Sequence, residues 1–417
     1  MRTRGKAAGG LIERLGGIQS KKDMQGIVEV FTRAFVNPRW MERHLYRSLF
    51  QPPLFDPEHA RLALAEGRVV SAVFMAPRMI RFGPVKVPAV TVGPVGTDDR
   101  YRNRGYAAAT MNDASSYMKE HGILVAYLQG IPDFYSRFGY YPYMAPGSVR
   151  FKRDNAKQES RPGRLRAMTR RDLPAVRKLY DEATADRTCA AARDAKVWDW
   201  LMGPGRRTWL FRQPQVILDA RGRLCGYVTV HWKDDPTFAE IVVRKDEASM
   251  RAVLGALARF ARQREKKELS LPLPWDDALA VFLRHFVPAE FKMSSGSTGG
   301  ALLKIVDFPA LMARLEPLFA RRWREAHSSL PPLEFTLSSE AGRVGFKLLR
   351  DGARVLLPGA RPVVRIPQRW LSGLLTGYHA VRDIARRKDA AVPARLMPVM
   401  EVLFPTGWPF VYQGDNY

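Results

Sequence analysis

The chain has 417 residues, of which 46% are hydrophobic, and a formal net charge of +26 at pH 7. Its length is enough for about three domains that each bury a core. The apolar runs all fall short of the roughly 18 residues that a membrane-spanning helix requires, so the composition indicates a globular protein and argues against a membrane-spanning one.

The positive charge favours a polyanionic partner, such as nucleic acid, an anionic surface or a phosphorylated cofactor. Its distribution supports a simpler interpretation, because the basic doublets are spread along the chain: Lys21-Lys22, Arg170-Arg171, Arg206-Arg207, Lys266-Lys267, Arg321-Arg322 and Arg386-Arg387. The sequence also lacks the interleaving of aromatic and basic residues that is typical of nucleic-acid binding. We therefore expect a dispersed, arginine-rich surface and no nucleic-acid partner.

The cysteine and histidine patterns predict neither a disulfide framework nor a metal site. Cys189 and Cys225 are too few to cross-link a chain of this size, and the seven histidines form no H-x-x-x-H pair. Residues 1–20 are basic and interrupted by glycines, unlike the apolar segment of a secretory signal. We expect a basic arm on a cytoplasmic protein.

Residues 21–150 form a first region that opens with an amphipathic helix. Apolar residues at helical spacing predict this helix, and β-branched runs on both sides of the Gly83-Pro84 turn predict strands. A second helix is ended by His121-Gly122. In chain order, the predicted elements are a helix over 23–35, strands over 68–75, 79–82 and 85–92, a helix over 106–120 and a strand over 123–128.

Residues 151–304 form a second region that repeats this order of elements. Residues 151–164, which are charged and contain Pro162-Gly163, are the expected linker, and Asp172-Leu173-Pro174 is typical of a helix start. The predicted elements are a helix that begins within 168–174, a hairpin over 216–224, strands over 227–231 and 238–243, and a helix over 249–263. We interpret the repeat as an internal duplication of elements with little shared sequence.

Residues 305–417 form a third region, in which a helix is followed by strands whose side chains alternate in polarity. Asp351-Gly352 predicts a hairpin turn. The predicted elements are a helix after Ile305, strands over 333–337, 344–348, 355–357 and 363–366, and a helix over 368–378. Residues 390–417, rich in proline and aromatic residues, are expected to lack regular structure and to dock on the rest of the protein.

The segment 92–107 carries the residues expected to bind a phosphorylated ligand. A strand there runs into a basic turn that opens a helix. Backbone N–H groups at a helix N-terminus bind anions, and Gly105 allows the chain to approach a pyrophosphate closely. Positive charge comes from Arg100, Arg102 and Arg104. If the strand separates from its neighbour, its edge at Val95 and Thr97 can pair with an amide-containing ligand.

This segment resembles the acetyl-CoA motif of the GNAT superfamily, in which R/Q-x-x-G-x-G/A follows the fourth strand. The matching residues are Arg102-Asn103-Arg104-Gly105-Tyr106-Ala107. The later run Phe134-Tyr135-Ser136-Arg137-Phe138-Gly139-Tyr140 resembles the segment after the fifth strand of these proteins, whose tyrosine often acts as a general acid. The resemblance implies acetyl-CoA as co-substrate and Tyr135 as the acid. It implies cofactor contacts from Val95, Gly96, Thr97, Arg102, Asn103, Arg104, Gly105, Tyr106, Ala107 and Gly130.

Nearly the whole chain resembles the enhanced intracellular survival (Eis) acetyltransferases. The implied fold class is α/β (α+β), with a basic arm over 1–20, a catalytic GNAT domain over 21–150, a degenerate GNAT-like domain over 151–304 and a sterol-carrier-protein-like domain with a docked tail over 305–417. In that family the carboxylate of the last residue is thought to act as the base, a role that falls here on Tyr417. The family's usual last residue is phenylalanine, so the sequence departs from the pattern at this position. The resemblance also implies a homo-hexamer.

The expected chemistry is direct transfer of an acetyl group to an amine. Tyrosine, with a reference pKa of about 10, is protonated at neutral pH and can donate to a departing thiolate. Both cysteines lie outside the first region, which leaves no evident thiol nucleophile there. By resemblance, the acceptor is a primary amine on a small polyamine-like or aminoglycoside-like molecule, or a lysine side chain. A cationic acceptor requires local negative charge, for which Asp133 and the C-terminal carboxylate are candidates.

Each of these interpretations has an alternative. Tyr135 could serve only as core packing among its aromatic neighbours, and Tyr417 could be an inert terminus. The second region, whose turn over 243–249 contains no glycine, is expected to bind no CoA. The acyltransferase fold could also be a scaffold for a non-catalytic nucleic-acid-associated or lipid-binding protein. Affinity for acetyl-CoA distinguishes the enzyme from both of these.

Overall fold

The structure, a computed structural model, describes residues 5–7, 10–35, 56–203, 213–230, 238–326 and 332–415. Of the predicted features, Tyr417, the doublet Arg206-Arg207, part of the basic arm and the end of the strand at 227–231 lie outside the described residues. The chain forms mixed sheets flanked by helices, and the prediction of an α/β fold is confirmed.

A seven-stranded sheet, called the first sheet, is built mainly from the first region. The strands up to residue 152 are β1 (Gly5–Ala7), β2 (Gly10–Ile12), β3 (Arg14–Gly16), β4 (Ala60–Ala65), β5 (Arg68–Phe82), β6 (Val85–Thr97), β7 (Val125–Gly130), β8 (Tyr140–Pro142) and β9 (Gly147–Lys152). The later strands are β10 (Gly163–Ala167), β11 (Gln215–Asp219), β12 (Leu224–Val230), β13 (Phe238–Val243), β14 (Glu268–Leu271), β15 (Ala289–Met293), β16 (Gly300–Ile305), β17 (Leu333–Ser339), β18 (Gly342–Leu349), β19 (Gly352–Leu356) and β20 (Val363–Arg365).

The α-helices flank these sheets. They are α1 (Lys21–Ala34), α2 (Tyr106–Glu120), α3 (Leu173–Thr184), α4 (Ala195–Met202), α5 (Glu247–Gln263), α6 (Ala278–Phe286), α7 (Phe308–Glu325), α8 (Gln368–Thr376), α9 (Val381–Ala385) and α10 (Met397–Leu403). Helix α1 begins where the Ser20 hydroxyl and the Asp23 carboxylate each accept a backbone N–H of the other's residue, a capping box that satisfies two N–H groups at the helix start.

Strand order shows how the regions combine. The first sheet runs β3-β4-β5-β6-β7-β16-β8, the second-region strands form β10-β11-β12-β13 and β14-β9-β15, and the third-region sheet runs β19-β18-β17-β20. Strand β16 therefore lies in the first sheet, and β9 lies between two strands of the second region. Hydrogen-bonded pairs cross both predicted boundaries, at 150 and at 304, and the division into domains stays a prediction.

Several predicted details differ from the structure, among them the strands around Pro77 and the C-terminal region. The strands predicted over 68–75 and 79–82 are one strand, β5, which continues through Pro77. Strand β4 begins at Ala60, opposite Phe74, so it does not extend beside Pro77, and proline is tolerated where no neighbouring strand needs its N–H. The prediction that 390–417 lacks regular structure is wrong, because α10 forms there with Pro398 in its first turn, a position that needs no N–H donor.

The first sheet separates two buried layers. Helix α1 packs on one face against side chains such as Leu62 and Phe74, and the third region extends that layer. Helix α2 packs on the opposite face, where Met111 and Met118 meet Val73, Val90 and their neighbours. The strand ends between these layers form the site described next.

Candidate active site

Strands β6 and β7 separate partway along their length. They pair in parallel only at Ala89–Val125, Val90–Ala126 and Thr91–Tyr127. Strand β6 continues to Thr97 along β5, whereas β7 continues to Gly130 along β16. We call the space between residues 92–97 of β6 and residues 128–130 of β7 the wedge.

The backbone of β6 presents polar groups to the wedge. The Asp98 N–H donates to the Val70 carbonyl at 2.9 Å, so this opposed pair is hydrogen-bonded. Hydrogen-bonded and non-bonded pairs alternate along antiparallel strands. The N–H and C=O of Val95 and Thr97 therefore point away from β5 and into the wedge, an orientation that would let them pair with an amide-containing ligand.

Helix α2 begins beside the end of β6. Gly105 precedes it in the left-handed conformation, with φ of 85°, which glycine adopts at little cost, and it has no side chain to cap the helix. The N–H groups of Tyr106, Ala107 and Ala108 have no acceptor within the helix. The first turn contains no acidic residue, and amides and a helix dipole in this arrangement can hold an anion.

The turn before α2 offsets part of its own positive charge. Asp98 is buried and accepts a hydrogen bond of 2.9 Å from Arg100 Nη2. It also forms an ion pair with Arg33, whose Nη1 lies 2.8 Å from the Asp98 carboxylate. The hydrogen bonds from Arg100, more than any other cause, lower the pKa of Asp98 to about 2. Arg102 pairs with Asp99 at 2.5 Å.

Arg104 differs from the other two arginines of this turn. It lies over the Tyr101 ring at 5.4 Å, and within the described part of the chain it forms no ion pair. We therefore expect Arg104 to be the side chain that adds most positive charge to the anion site. Asn103, beside it, is exposed and left-handed, with φ of 60°.

Two of the predicted cofactor residues pack inward instead. A Cβ at Gly96 would lie 2.9 Å from Phe31 Cδ1, so glycine is needed there for the packing of α1. Tyr106 is 3% exposed and contacts the Tyr101 ring edge-to-face, with centroids 6.0 Å apart. Tyr106 can reach a ligand only through its backbone, whereas the N–H and C=O of Gly96, opposite Ala72, point toward β5 and away from the wedge. Ala107, in the first turn of α2, is half-buried.

Tyr135 lies beside the end of β7. Its ring is edge-to-face with Phe134 and with Tyr140, at centroid distances of 4.8 and 6.1 Å. A Cβ at Gly130 would lie 2.7 Å from Tyr135 Cδ2, so this glycine makes room for the ring. Tyr135 belongs to the same buried cluster as Val92, next to the wedge. The packing role and a catalytic role are therefore compatible, and Tyr135 as acid stays a prediction.

The C-terminal tail, residues 405–415, reaches the opposite face of the wedge. Its last described residue, Asp415, is 1% exposed, and its carbonyl accepts a hydrogen bond of 3.0 Å from Tyr127 Oη. Tyr127 is the residue opposite Thr91, where the wedge opens. Burial raises the pKa of Tyr127, which keeps its hydroxyl a donor. Tyr417 itself lies outside the described residues.

Sequence reasoning missed a buried charged cluster next to this contact. Arg193, Glu240 and Asp415 lie together with almost no exposure. The signal available was Glu240, a carboxylate inside the otherwise apolar β13, because charged residues are rarely fully buried unless they are paired. Asp133, which was considered as a local acid, is exposed in the loop after β7.

Comparison with known proteins defines the class of fold. Residues 18–143 match the family model described as an acetyltransferase (GNAT) domain. Three solved structures are similar over nearly the whole chain. A GCN5-related N-acetyltransferase from Kribbella flavida has 16% identity and a TM-score of 0.72, covering 96% of this chain and 99% of its own. One from Anabaena variabilis has 14% identity and a TM-score of 0.75, with the same coverage.

The third of these structures is Eis1 from Mycobacterium abscessus, with 19% identity, a TM-score of 0.66 and coverage of 97% of this chain and 99% of its own. No curated protein matches the chain in sequence. At these identities the structural likeness defines the fold, so the chain has a GNAT-type fold and carries a GNAT acetyltransferase domain in its first region. In the described ranges, no helix is long and apolar enough to cross a membrane.

Proposed function

We propose that the chain is an acetyl-CoA-dependent N-acetyltransferase that moves an acetyl group directly to a primary amine. The observation that carries the proposal is the wedge, whose free strand edge adjoins the uncapped start of α2. A strand edge and an anion site side by side match the two parts of CoA, an amide-containing arm and a pyrophosphate.

The residues present fit this ligand. The N–H and C=O of Val95 and Thr97 face the wedge and can pair with the amides of the arm as a neighbouring strand would. The N–H groups at the start of α2, together with Arg104, can hold the pyrophosphate. Acetyl-CoA would supply the acetyl group activated as a thioester, and the remaining steps fall to residues of the chain.

Tyr135 is proposed as the general acid. As the bond from the amine nitrogen to the acetyl carbon forms and the carbon–sulfur bond breaks, the phenol gives its proton to the departing sulfur. A cysteine nucleophile is not part of the proposal. Burial raises the pKa of the Cys189 thiol, and Cys225 is buried in the second region, so neither is suited to form a thiolate.

The C-terminal carboxylate of Tyr417 is proposed as the base that takes the amine proton. Support comes from Asp415, which is fixed beside the wedge by Tyr127. Asp415 lies on the face of the first sheet opposite α2, and two further residues span at most about 7 Å. The proposal therefore requires the Tyr417 carboxylate to act from that face, with the amine and acetyl-CoA on different faces of the sheet.

The acceptor is proposed to be a cationic primary amine, on a small polyamine-like or aminoglycoside-like molecule or a lysine side chain. The positive net charge of the chain repels a cationic acceptor at long range, but the local charge does not. Near Tyr127, the guanidinium groups of Arg78 and Arg193 are balanced by the carboxylates of Glu240 and Asp415. The carboxylate of Tyr417 would then leave this face negative and attract an ammonium group.

The finer architecture is also a proposal. By resemblance to Eis proteins, the second region is a degenerate GNAT-like domain, the third is sterol-carrier-protein-like, and the chain assembles as a homo-hexamer in the cytoplasm. Native mass spectrometry of the intact protein would give six times the chain mass if the hexamer forms, whereas a monomer mass would reject it.

Calorimetry with acetyl-CoA, followed by a screen of amines for thiol release, tests the activity. We expect saturable binding with a stoichiometry of one per chain and thiol release that depends on a primary amine. A chain that does not bind acetyl-CoA but is retained on heparin in a salt-dependent way would instead indicate a nucleic-acid-associated protein. Binding of fatty acids by such a chain would indicate a lipid carrier.

A further inference from the structure

Arg193 is the centre of a fully buried ion-pair cluster. Its side chain and that of Glu240 have 0% exposure, and that of Asp415 has 1%. Arg193 Nη1 and Nη2 donate to the two Glu240 oxygens at 2.8 and 2.7 Å, while Nε and Nη2 donate to the two Asp415 oxygens, each at 2.9 Å. The guanidinium thus forms bidentate hydrogen bonds with both carboxylates, a geometry that lysine cannot reproduce.

This cluster joins three distant parts of the chain. The backbone just before Arg193 is held to β5, since Ala192 N–H donates to the Met79 carbonyl and Cys189 N–H to the Arg81 carbonyl. Glu240 belongs to β13, and Asp415 belongs to the C-terminal tail. Arg193 therefore fixes the tail relative to the first sheet and to the second region at the same time.

Aromatic side chains enclose the guanidinium. Its central carbon lies 4.3 Å from the ring centroid of Tyr180, 5.0 Å from that of Trp198 and 5.9 Å from that of Tyr412. Tyr412 and Phe410 belong to the tail and are buried in the same cluster. The Phe410 N–H also donates to the Thr188 carbonyl at 3.0 Å, so backbone and side chains both hold the tail in this pocket.

Stability alone is a poor explanation for the cluster. Removing charges from water costs so much that a buried ion pair can often be replaced by apolar residues of similar volume without loss of stability. What such a cluster gives is one defined arrangement, because any displacement of Asp415 leaves a buried charge without its partner. The other end of the same residue, the Asp415 carbonyl, is bonded to Tyr127 at the opening of the wedge.

We propose that Arg193, held by Glu240, is a positioning residue for acetyl transfer: it anchors Asp415 so that the end of the chain is presented to the wedge at a fixed position. The second region thereby serves as the receptor for the tail of its own chain. This inference rests on the proposed function, since the anchored end is the proposed base.

The variants Asp415→Asn and Glu240→Gln in the full chain test this role, with Arg170→Lys as a matched control in an exposed ion pair with Asp199. Asp415→Asn keeps the shape of the side chain and removes its charge. We expect about 100-fold lower kcat, because small displacements of a reacting group cost that much. The affinity for CoA should stay within about twofold of the wild-type value, because CoA is proposed to bind on the α2 face of the first sheet, away from Asp415. Near-ultraviolet circular dichroism and the melting temperature establish that each variant is folded.

A second readout follows the tail without using activity. Carboxypeptidase should release Tyr417 faster from Asp415→Asn and Glu240→Gln than from the wild-type chain, and Arg170→Lys should match the wild type. Asp415→Glu should have a higher kcat than Asp415→Asn, because it keeps the negative charge that pairs with Arg193. Wild-type kcat or wild-type release of Tyr417 in folded Asp415→Asn would overturn the positioning role. A wild-type chain with no acetyl-CoA binding and no turnover would overturn the proposed function itself, and the two failures are therefore distinguishable.

Discussion

The starts of α2 and α5 are two versions of one local topology. Each helix follows a strand, β6 or β13, through a short turn. At α5, Asp246 is the cap, and its carboxylate accepts the Ser249 N–H and hydroxyl, both at 2.9 Å. At α2 the same place holds Gly105, which has no side chain. The proposed anion site therefore depends on a side chain that the sequence omits: an N–H group at the start of α5 is bound by the carboxylate of Asp246, whereas Gly105 offers no such acceptor at the start of α2.

The strands before these helices differ in the same way. Within the ranges that the structure describes, β6 has no strand partner on the β7 side beyond Thr91, where β7 diverges from it. In the second region, β13 carries Glu240, which is bound to Arg193 and through it to Asp415. In the second region, side chains of the protein bind the equivalent polar groups, whereas in the first region we propose that substrates bind them. Four experiments test this contrast.

The largest effect is expected for Tyr135→Phe. Tyr135 has no counterpart in the second region, where β14 is followed directly by Pro272-Leu273-Pro274. The change removes the proposed acid and keeps the ring that packs against Gly130 and Phe134. General acid catalysis is worth about 100-fold to 10,000-fold, so kcat should fall within that range while calorimetry gives an unchanged affinity for CoA. Equal turnover would assign Tyr135 to packing alone.

The next effect is expected for Ala107→Asp, which gives α2 a carboxylate in its first turn like that of α5. An acidic side chain there stabilises the helix, so the variant should fold. It should bind acetyl-CoA about 100-fold more weakly, because two like charges about 4 Å apart repel by several kcal/mol near a protein surface. Ala107→Asn has the same shape without the charge and should bind nearly as well as the wild type. Equal affinity of both variants would place the pyrophosphate elsewhere.

A smaller effect is expected for Arg104→Ala. An exposed charge contributes about 1 kcal/mol at low salt, so affinity for acetyl-CoA should fall about fivefold and the difference should disappear at high salt. Arg102→Ala should have less effect, because Arg102 is already paired with Asp99. Titrations at two salt concentrations provide the measurement. A larger loss for Arg102→Ala would show that this ion pair opens when the ligand binds.

The smallest effect is expected for Asp246→Ala, which removes the cap of α5. Loss of such a cap costs about 1 kcal/mol of stability, which urea denaturation can detect. The affinity for acetyl-CoA should not change, because α5 is not proposed to bind it. If this variant bound a second molecule of acetyl-CoA per chain, the Asp246 carboxylate alone would be what prevents binding at the start of α5.

Local patterns predicted the parts of the site that are close in sequence. The bounds of α2 agree with its predicted span of 106–120, and the edge of β6 at Val95 and Thr97 faces the wedge as required. These features follow from glycine conformation, β-branched runs and strand alternation within short segments. The segment 92–107 contains both the strand edge and the helix start that we propose bind CoA, so its sequence alone could indicate a ligand.

Contacts between distant residues could not be predicted in this way. Strand β16 lies between β7 and β8 although about 160 residues separate it from them. Its position could not be predicted, because its short apolar pattern fits any buried strand. Arg193 and Asp415 are 222 positions apart and look like ordinary surface charges in sequence. Their burial depends on the complete fold, which a single sequence without variants does not reveal.

Amide hydrogen exchange with and without acetyl-CoA tests the central claim most directly. The N–H groups of Tyr106, Ala107 and Ala108 have no acceptor in the helix, so they should exchange quickly in the free protein. With acetyl-CoA bound, we expect marked slowing of exchange in peptides that cover 100–112 and no change in peptides that cover 244–255. Protection at the start of α5, or binding without protection at the start of α2, would contradict it.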